Sequence, residues 1–160
     1  MDLILWRHAQ AHFHPDPDNG LPGDPADMKR RLTARGEKQA SRMAAWLDRQ
    51  LPSGAQVLCS PAVRAEQTAV ALGRKFKILE GLAPEAEAQT LLDLAQWPTA
   101  RQPVVLVGHQ PTLGRVVARL LGLSVAECAI KKGALWWLRH RERDGLIQTV
   151  VVTVQTPELL

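Results

Sequence analysis

Three places in this 160-residue chain set cations or imidazoles just after an apolar run. Arg7-His8 follows Leu3-Ile4-Leu5-Trp6. Gln56-Val57-Leu58-Cys59 leads through Ser60-Pro61 to Arg64. Val104-Val105-Leu106-Val107 ends in Gly108-His109. Guanidinium forks bind phosphoryl oxygens two at a time, and helix starts favour anions. A histidine surrounded by positive charge keeps its imidazole neutral and nucleophilic. Brought together, Arg7, His8, Arg64 and His109 are the parts of a phosphoryl-transfer centre that works through a covalent phosphohistidine and needs no metal or cofactor. Taken singly each has a plainer use: a strand ending in surface charge, an arginine on a helix surface, a loop histidine bonded to its neighbour.

Whether they meet depends on the elements that carry them. The three apolar runs read as short buried strands, and Pro103–Gly108, β-branched and apolar on both faces, has the pattern of a central parallel strand. Thr33 caps a helix whose apolar stripe is Ala40, Met43, Ala44, Leu47 and Leu51, running to about residue 50. Ser60 as cap and Pro61 at the first position predict a second helix, from Pro61 to about Gly73. Its side chains lean toward its N-terminus, which lets Arg64 reach back over the strand end. Lys77-Ile78-Leu79 reads as a short strand, Pro84-Glu85-Ala86-Glu87 as the opening of an amphipathic helix, and a further helix follows His109 to Leu121, stopped by Gly122. Ala134–Leu138 and Leu146–Val154 flank Asp144-Gly145, the turn chemistry of a hairpin. Alternating strands and helices with an antiparallel end predict one α/β domain over residues 1–160: a three-layer sandwich, its central sheet mostly parallel and flanked by helices. Such sheets bind ligands beyond the carboxyl ends of their strands, where the three cationic places would lie side by side.

The rest of the chain narrows the function classes. Apolar residues make up 46% and charged residues 22%, as in a soluble globular protein. No apolar run has the length of a membrane span, and Asp2, Arg7 and His8 argue against a signal peptide. Cys59 and Cys128 match no metal or redox spacing, and Cys59 reads as a buried thiol, so a reduced, cytoplasmic setting is the expectation. The formal charge of +4 is spread over helices and turns without a long block; charge alone suits a solvated surface, an anionic phosphorylated substrate and nucleic acid alike, and nucleic acid is the least expected of the three. His12 to Asp27, with four prolines and two glycines, reads as a long loop, a rim or a flap. His12, His14, Asp16 and Asp18 within it have the types of metal ligands, but Pro15 and Pro17 hold the segment extended and no further cluster completes a tetrahedral site.

Arg7-His8, Ser60-Pro61-x-x-Arg64-Ala65-x-Gln67-Thr68-Ala69 and Gly108-His109 together resemble the histidine phosphatase superfamily. Arg30-Arg31-Leu32-Thr33-x-x-Gly36 and the short length are similar to its SixA branch, the phosphohistidine phosphatases. The resemblance implies a phosphoglycerate mutase-like fold, His8 as nucleophile, Arg7 and Arg64 as phosphate clamps, and His109 as a further phosphate contact. Gln110, next in the chain, is a candidate for substrate binding. Ala9, Gln10 and Ala11 depart from the glycine, acidic or amide, and hydroxyl residues many members carry there. Larger members use a carboxylic acid to protonate the leaving oxygen; by chain order Glu85 or Glu87 is the candidate, although acidic residues also favour a helix's first turn for electrostatic reasons. Without that acid the enzyme suits leaving groups that depart unaided, such as the imidazole of a phosphohistidine in a partner protein. A small phosphomonoester is the alternative substrate, and a non-catalytic phosphate-binding module the alternative class. The oligomeric state is open.

Overall fold

The computed structural model describes residues 1–160. Six strands form one sheet: β1 (Asp2–Arg7), β2 (Gln56–Cys59), β3 (Lys77–Ile78), β4 (Val104–Gly108), β5 (Leu135–Arg143) and β6 (Leu146–Gln155). Their order is β3-β2-β4-β1-β5-β6. The first four neighbours run parallel, with β4 at the centre of that half, paired to β2 and β1. β5 runs antiparallel to β1, and β6 antiparallel to β5. The Asp144-Gly145 turn between the last two has positive φ at both residues, 52° and 78°, as a two-residue hairpin loop whose twist matches its strands requires.

Side chains alternate across each strand, so the sheet has two apolar faces. Leu3 and Leu5 of β1 and Val104 and Leu106 of β4 point to one face. There they pack against α4 (Ala88–Leu94) through Leu91 and Leu92, and against α5 (Thr112–Leu120) through Leu113, Val116 and Val117. Ile4, Trp6, Val105 and Val107 point to the other. They meet Met43 and Leu47 of α2 (Ala34–Gln50) and Ala65 and Ala69 of α3 (Val63–Val70). The result is the expected three-layer α/β sandwich. A one-turn helix, α1 (Pro25–Met28), lies in the long loop after β1, and no helix is long and apolar enough to cross a membrane.

Two helix boundaries differ from the sequence reading. α3 starts at Val63, two residues later than Pro61, because Ala62 is still extended. Ser60 does not cap it; its Oγ accepts the Ala62 N–H at 3.1 Å and closes a turn ahead of the helix. At the other end, Leu72 and Gly73 donate to the carbonyls three residues back, so the last turn tightens and Gly73 leaves it at φ 73°. α4 starts at Ala88 and not in the Pro84–Glu87 stretch, since Glu85 adopts φ 70°, a left-handed conformation no α-helix continues through.

Candidate functional site

The carboxyl ends of β1, β2 and β4 lie in register, with Arg7 opposite Gly108 and Cys59 opposite Val107. Just beyond them His8 donates its backbone N–H to Gly108 O at 3.1 Å, and Ser60 donates to Val107 O at 3.0 Å. The chain after each strand is thus zipped to its neighbour for one more residue, and His8, Ser60 and His109 emerge together.

His8 is buried, 6% exposed. Its Nδ1 lies 2.8 Å from the Ala9 carbonyl, which can only accept, so the ring proton sits on Nδ1 and Nε2 carries the lone pair. That nitrogen faces Arg64, whose Nε donates to it at 3.4 Å. The same guanidinium donates from Nη2 to His109 Nδ1 at 3.4 Å, which leaves the His109 proton on Nε2, bonded to Ser60 Oγ at 2.7 Å. The two imidazole centroids are 5.1 Å apart. Arg7 completes the cluster from the β1 side. Its Nη1 donates to Ile130 O at 2.7 Å, while its buried Nε–H has no acceptor in the protein.

This packing decides the charge states. Burial and then His109 push the His8 imidazolium well below its ordinary range; the Ala9 carbonyl opposes this, and Arg64 and Arg7 add smaller downward effects. His109 is pushed down to about 3 by burial, then by Arg64, with Asp27 opposing and Arg7 adding to the effect. Both imidazoles are neutral near pH 7, with the positive charge concentrated on Arg7 and Arg64. Burial lowers both guanidinium values, but guanidinium stays protonated in proteins.

The Ser60–Ala69 segment also holds the loop behind His8. Thr68 Oγ1 accepts the Ala9 N–H at 3.1 Å and donates to Arg64 O at 2.8 Å. Gln67 Oε1 accepts the Leu32 N–H at 2.7 Å. The element carrying Arg64 therefore fixes the backbone that follows His8.

Sequence reasoning missed Asp27. It is 4% exposed and ion-paired to Arg64 at 3.2 Å and to Arg30 at 2.9 Å. Its carboxyl is held below the usual range; burial pushes it up, but the Gly23 N–H, Arg30 and Arg64 together outweigh that. Asp24 ahead of Pro25 was the local signal, a cap and first-position pair that starts α1 and presents Asp27 one turn on. Ser60, read as a helix cap, is the other omission.

The other candidates are not bonded to the cluster. The Gln110 side-chain amide is held in place: Nε2 donates to Cys128 O at 2.9 Å and Oε1 accepts the Gly114 N–H at 2.7 Å. Glu85 and Glu87 are both exposed, and neither is hydrogen-bonded or ion-paired to Arg7, His8, Arg64 or His109. Their turn is pinned to the start of α5 by Thr112, whose hydroxyl donates to Ala86 O at 2.7 Å, and Glu87 lines a groove with Arg115 and Arg119 on the outer side of that helix. The loop histidines do not gather as ligands. His14 sits 2.9 Å from both Asp24 carboxylate oxygens, and Asp16 is taken up by Asn19.

The sequence profile of the histidine phosphatase superfamily (branch 1) matches residues 3–87. A phosphohistidine phosphatase SixA homologue of Haemophilus influenzae is 30% identical over 137 residues, which cover 76% of this chain and 78% of the relative. Among solved structures, a tungstate complex of the protein histidine phosphatase SixA is similar with a TM-score of 0.72 at 24% identity over 99% of both chains. Phosphoserine phosphatase of Entamoeba histolytica, bound to 3-phosphoglyceric acid, gives 0.73 at 18% identity over 99% of both. At those identities the structures speak for the fold, and the fold is phosphoglycerate mutase-like. Profile, relative and fold agree, and the chain belongs to the histidine phosphatase superfamily, on its SixA-like branch.

Proposed function

We propose that this phosphatase removes phosphate from phosphohistidine in a partner protein, through a covalent phosphohistidine on His8 and without a metal ion. The observation that carries the reading is the His8 ring: its proton is fixed on Nδ1 and its Nε2 lone pair faces the Arg64 guanidinium. The lone pair attacks phosphorus in line, a P–N bond forms to Nε2, and the bond to the leaving group breaks. Arg7 and Arg64 hold the phosphoryl oxygens and supply the positive charge that stabilises the transition state. A phosphoryl dianion beside His109 raises that imidazole's proton affinity, which lets Nδ1 take a proton and donate to a third oxygen. Water then attacks phosphorus from the opposite side, releasing inorganic phosphate and restoring neutral His8.

The carboxylates support this substrate class. Glu85 and Glu87 are exposed and unattached to the cluster, and Asp27, the carboxylate that touches it, is held ionised. An alkyl phosphate whose leaving oxygen receives no proton forgoes about 10²–10⁴-fold in rate. The imidazole of a phosphohistidine is a far better leaving group.

The test is chemical. Purified protein incubated with a phosphohistidine-bearing protein should acquire acid-labile, alkali-stable phosphate and release inorganic phosphate, with or without EDTA. His8→Ala should do neither. Turnover that survives His8→Ala overturns the mechanism, and equal kcat/KM for alkyl phosphates moves the substrate class to small phosphomonoesters. Absence of any turnover leaves a phosphate-binding module.

A further inference from the structure

Arg64 uses the two edges of its guanidinium differently. The edge formed by Nε and Nη2 faces His8 Nε2 and His109 Nδ1, both at 3.4 Å, long for a hydrogen bond. The adjoining edge, Nη1 and Nη2, is taken by one residue: Asp27 accepts from Nη1 through its backbone carbonyl at 2.7 Å and from Nη2 through Oδ2 at 3.2 Å. The tighter contacts are on the Asp27 edge. The looser pair is on the edge where an anion attached to His8 would lie, so phosphoryl oxygens can replace the imidazole contacts without disturbing the other side.

Asp27 is itself fixed. Asp24 caps α1 and accepts the Asp27 N–H at 2.7 Å. Gly23 N–H donates to Oδ2 at 2.8 Å, and Arg30 donates to Oδ1 at 2.9 Å. Arg30 Nε reaches across to His12 O at 2.6 Å, which closes the loop after β1 onto its own start. A carboxylate with this many donors is a rigid support, and charge-assisted bonds of this type are about twice as strong as neutral ones.

We propose that Asp27 is the positioning residue of the site: it grips the outer edge of Arg64 and so presents the inner edge, as a preformed fork, to the phosphoryl group on His8. It acts through Arg64 and does not touch the substrate. The proposal rests on the phosphohistidine mechanism above for its kinetic consequence, but not for its structural one.

Two measurements separate these. The first is the single-turnover rate at which His8 is phosphorylated by a phosphohistidine-bearing protein, per folded molecule. Displacement of a reacting group's support by about 1 Å costs about 10²-fold, so Asp27→Ala should lower this rate by about 10- to 100-fold. Asp27→Asn, which keeps the backbone carbonyl and one side-chain oxygen but replaces the other by an amide NH2 and loses the charge, should fall between that variant and the parent. The second is hydrogen exchange of the Arg64 Nε–H, read by 15N NMR on the resting protein. It should speed up in Asp27→Ala and again take an intermediate value in Asp27→Asn. A parent-like phosphorylation rate in Asp27→Ala, or parent-like exchange of the Arg64 Nε–H, overturns the proposal. If the parent itself forms no phosphohistidine, the functional reading fails, while the exchange measurement still decides whether Asp27 holds Arg64.

Discussion

At the scale of single residues, the unusual expense in this molecule is two histidines kept neutral beside two arginines. Both imidazoles titrate below the ordinary value of 6.5 in the folded state, His109 near 3. The unfolded chain therefore binds more protons than the folded one at mildly acid pH. The stability that depends on a neutral His109 is fully present above pH 6.5 and is lost as pH falls from there toward 3, at about 1.4 kcal/mol per pH unit, and His8 acts in the same direction. Thermal melts between pH 7 and pH 5 should show this decline, and His109→Asn should flatten it by one histidine's share; an unchanged slope would mean that His109 is not held neutral. On the same ground the rate of His8 phosphorylation should persist on descending through pH 6.5, where an ordinary imidazole is half protonated. Arg7, His8, Arg64 and His109 were legible in the sequence because each stands within a few residues of a recognisable strand end. Asp27 was not, because its partner Arg64 is 37 residues away and no local pattern says which loop carboxylate will fold back. The setting of Gln110 was not legible either: adjacency to His109 says nothing of where its amide points once the Gly114 N–H of α5 and the Cys128 carbonyl both bind it.

Among the elements, the strands were readable because alternation and β-branched runs define them locally, and the hairpin because Asp-Gly suits its turn. Helix starts were harder: Ser60-Pro61 has the chemistry of a cap, but the Ser60 hydroxyl is drawn to His109 and the helix waits for Val63. α2 shows the reverse, a start that local chemistry predicts and tertiary contact demands. Thr33 caps it through the Gly36 N–H at 3.0 Å and also bonds the Gln10 side chain at 2.8 Å, while Thr33 N–H donates to Gln10 O at 3.0 Å. The first turn of α2 is thus seated on the backbone two residues past His8. Gly36 permits this approach, since a Cβ there would run into the Gln10 carbonyl oxygen. Gly36→Ala therefore sets two effects against each other. Alanine gains up to about 1 kcal/mol in helix propensity, while overpacking against a fixed backbone costs about 1–3 kcal/mol. The steric effect should win, since the obstacle is backbone rather than a movable side-chain end. Urea denaturation should give a lower midpoint with an unchanged slope, and phosphorylation of His8 should slow because the loop behind it shifts. A midpoint at or above the parent's would show that α2 can slide away from Gln10.

For the molecule as a whole, the site is where the fold concentrates like charge. Two arginines and two histidines meet with one compensating carboxylate, in a chain whose formal charge is already +4. Burial without pairing is unfavourable for each cation, and the Arg7 Nε–H lacks even a neutral acceptor. A dianion that binds only the folded state answers this directly, and should stabilise by RT ln(1 + [L]/Kd), about 2.7 kcal/mol at a concentration one hundred times Kd. Inorganic phosphate or tungstate should accordingly raise the melting temperature, by more than sodium chloride or sulfate-free buffer of the same ionic strength. General screening relieves repulsion between cations without filling a site, so the matched-salt control isolates specific binding. Arg7→Met removes the half-paired cation while keeping most of its apolar stem. The variant should melt near or above the parent in buffer, because a buried charge is gone, yet lose most of the oxyanion-induced rise. If Arg7→Met instead keeps the full rise, Arg7 is not a phosphate clamp, and the oxyanion is held by Arg64 and the backbone around His8 alone.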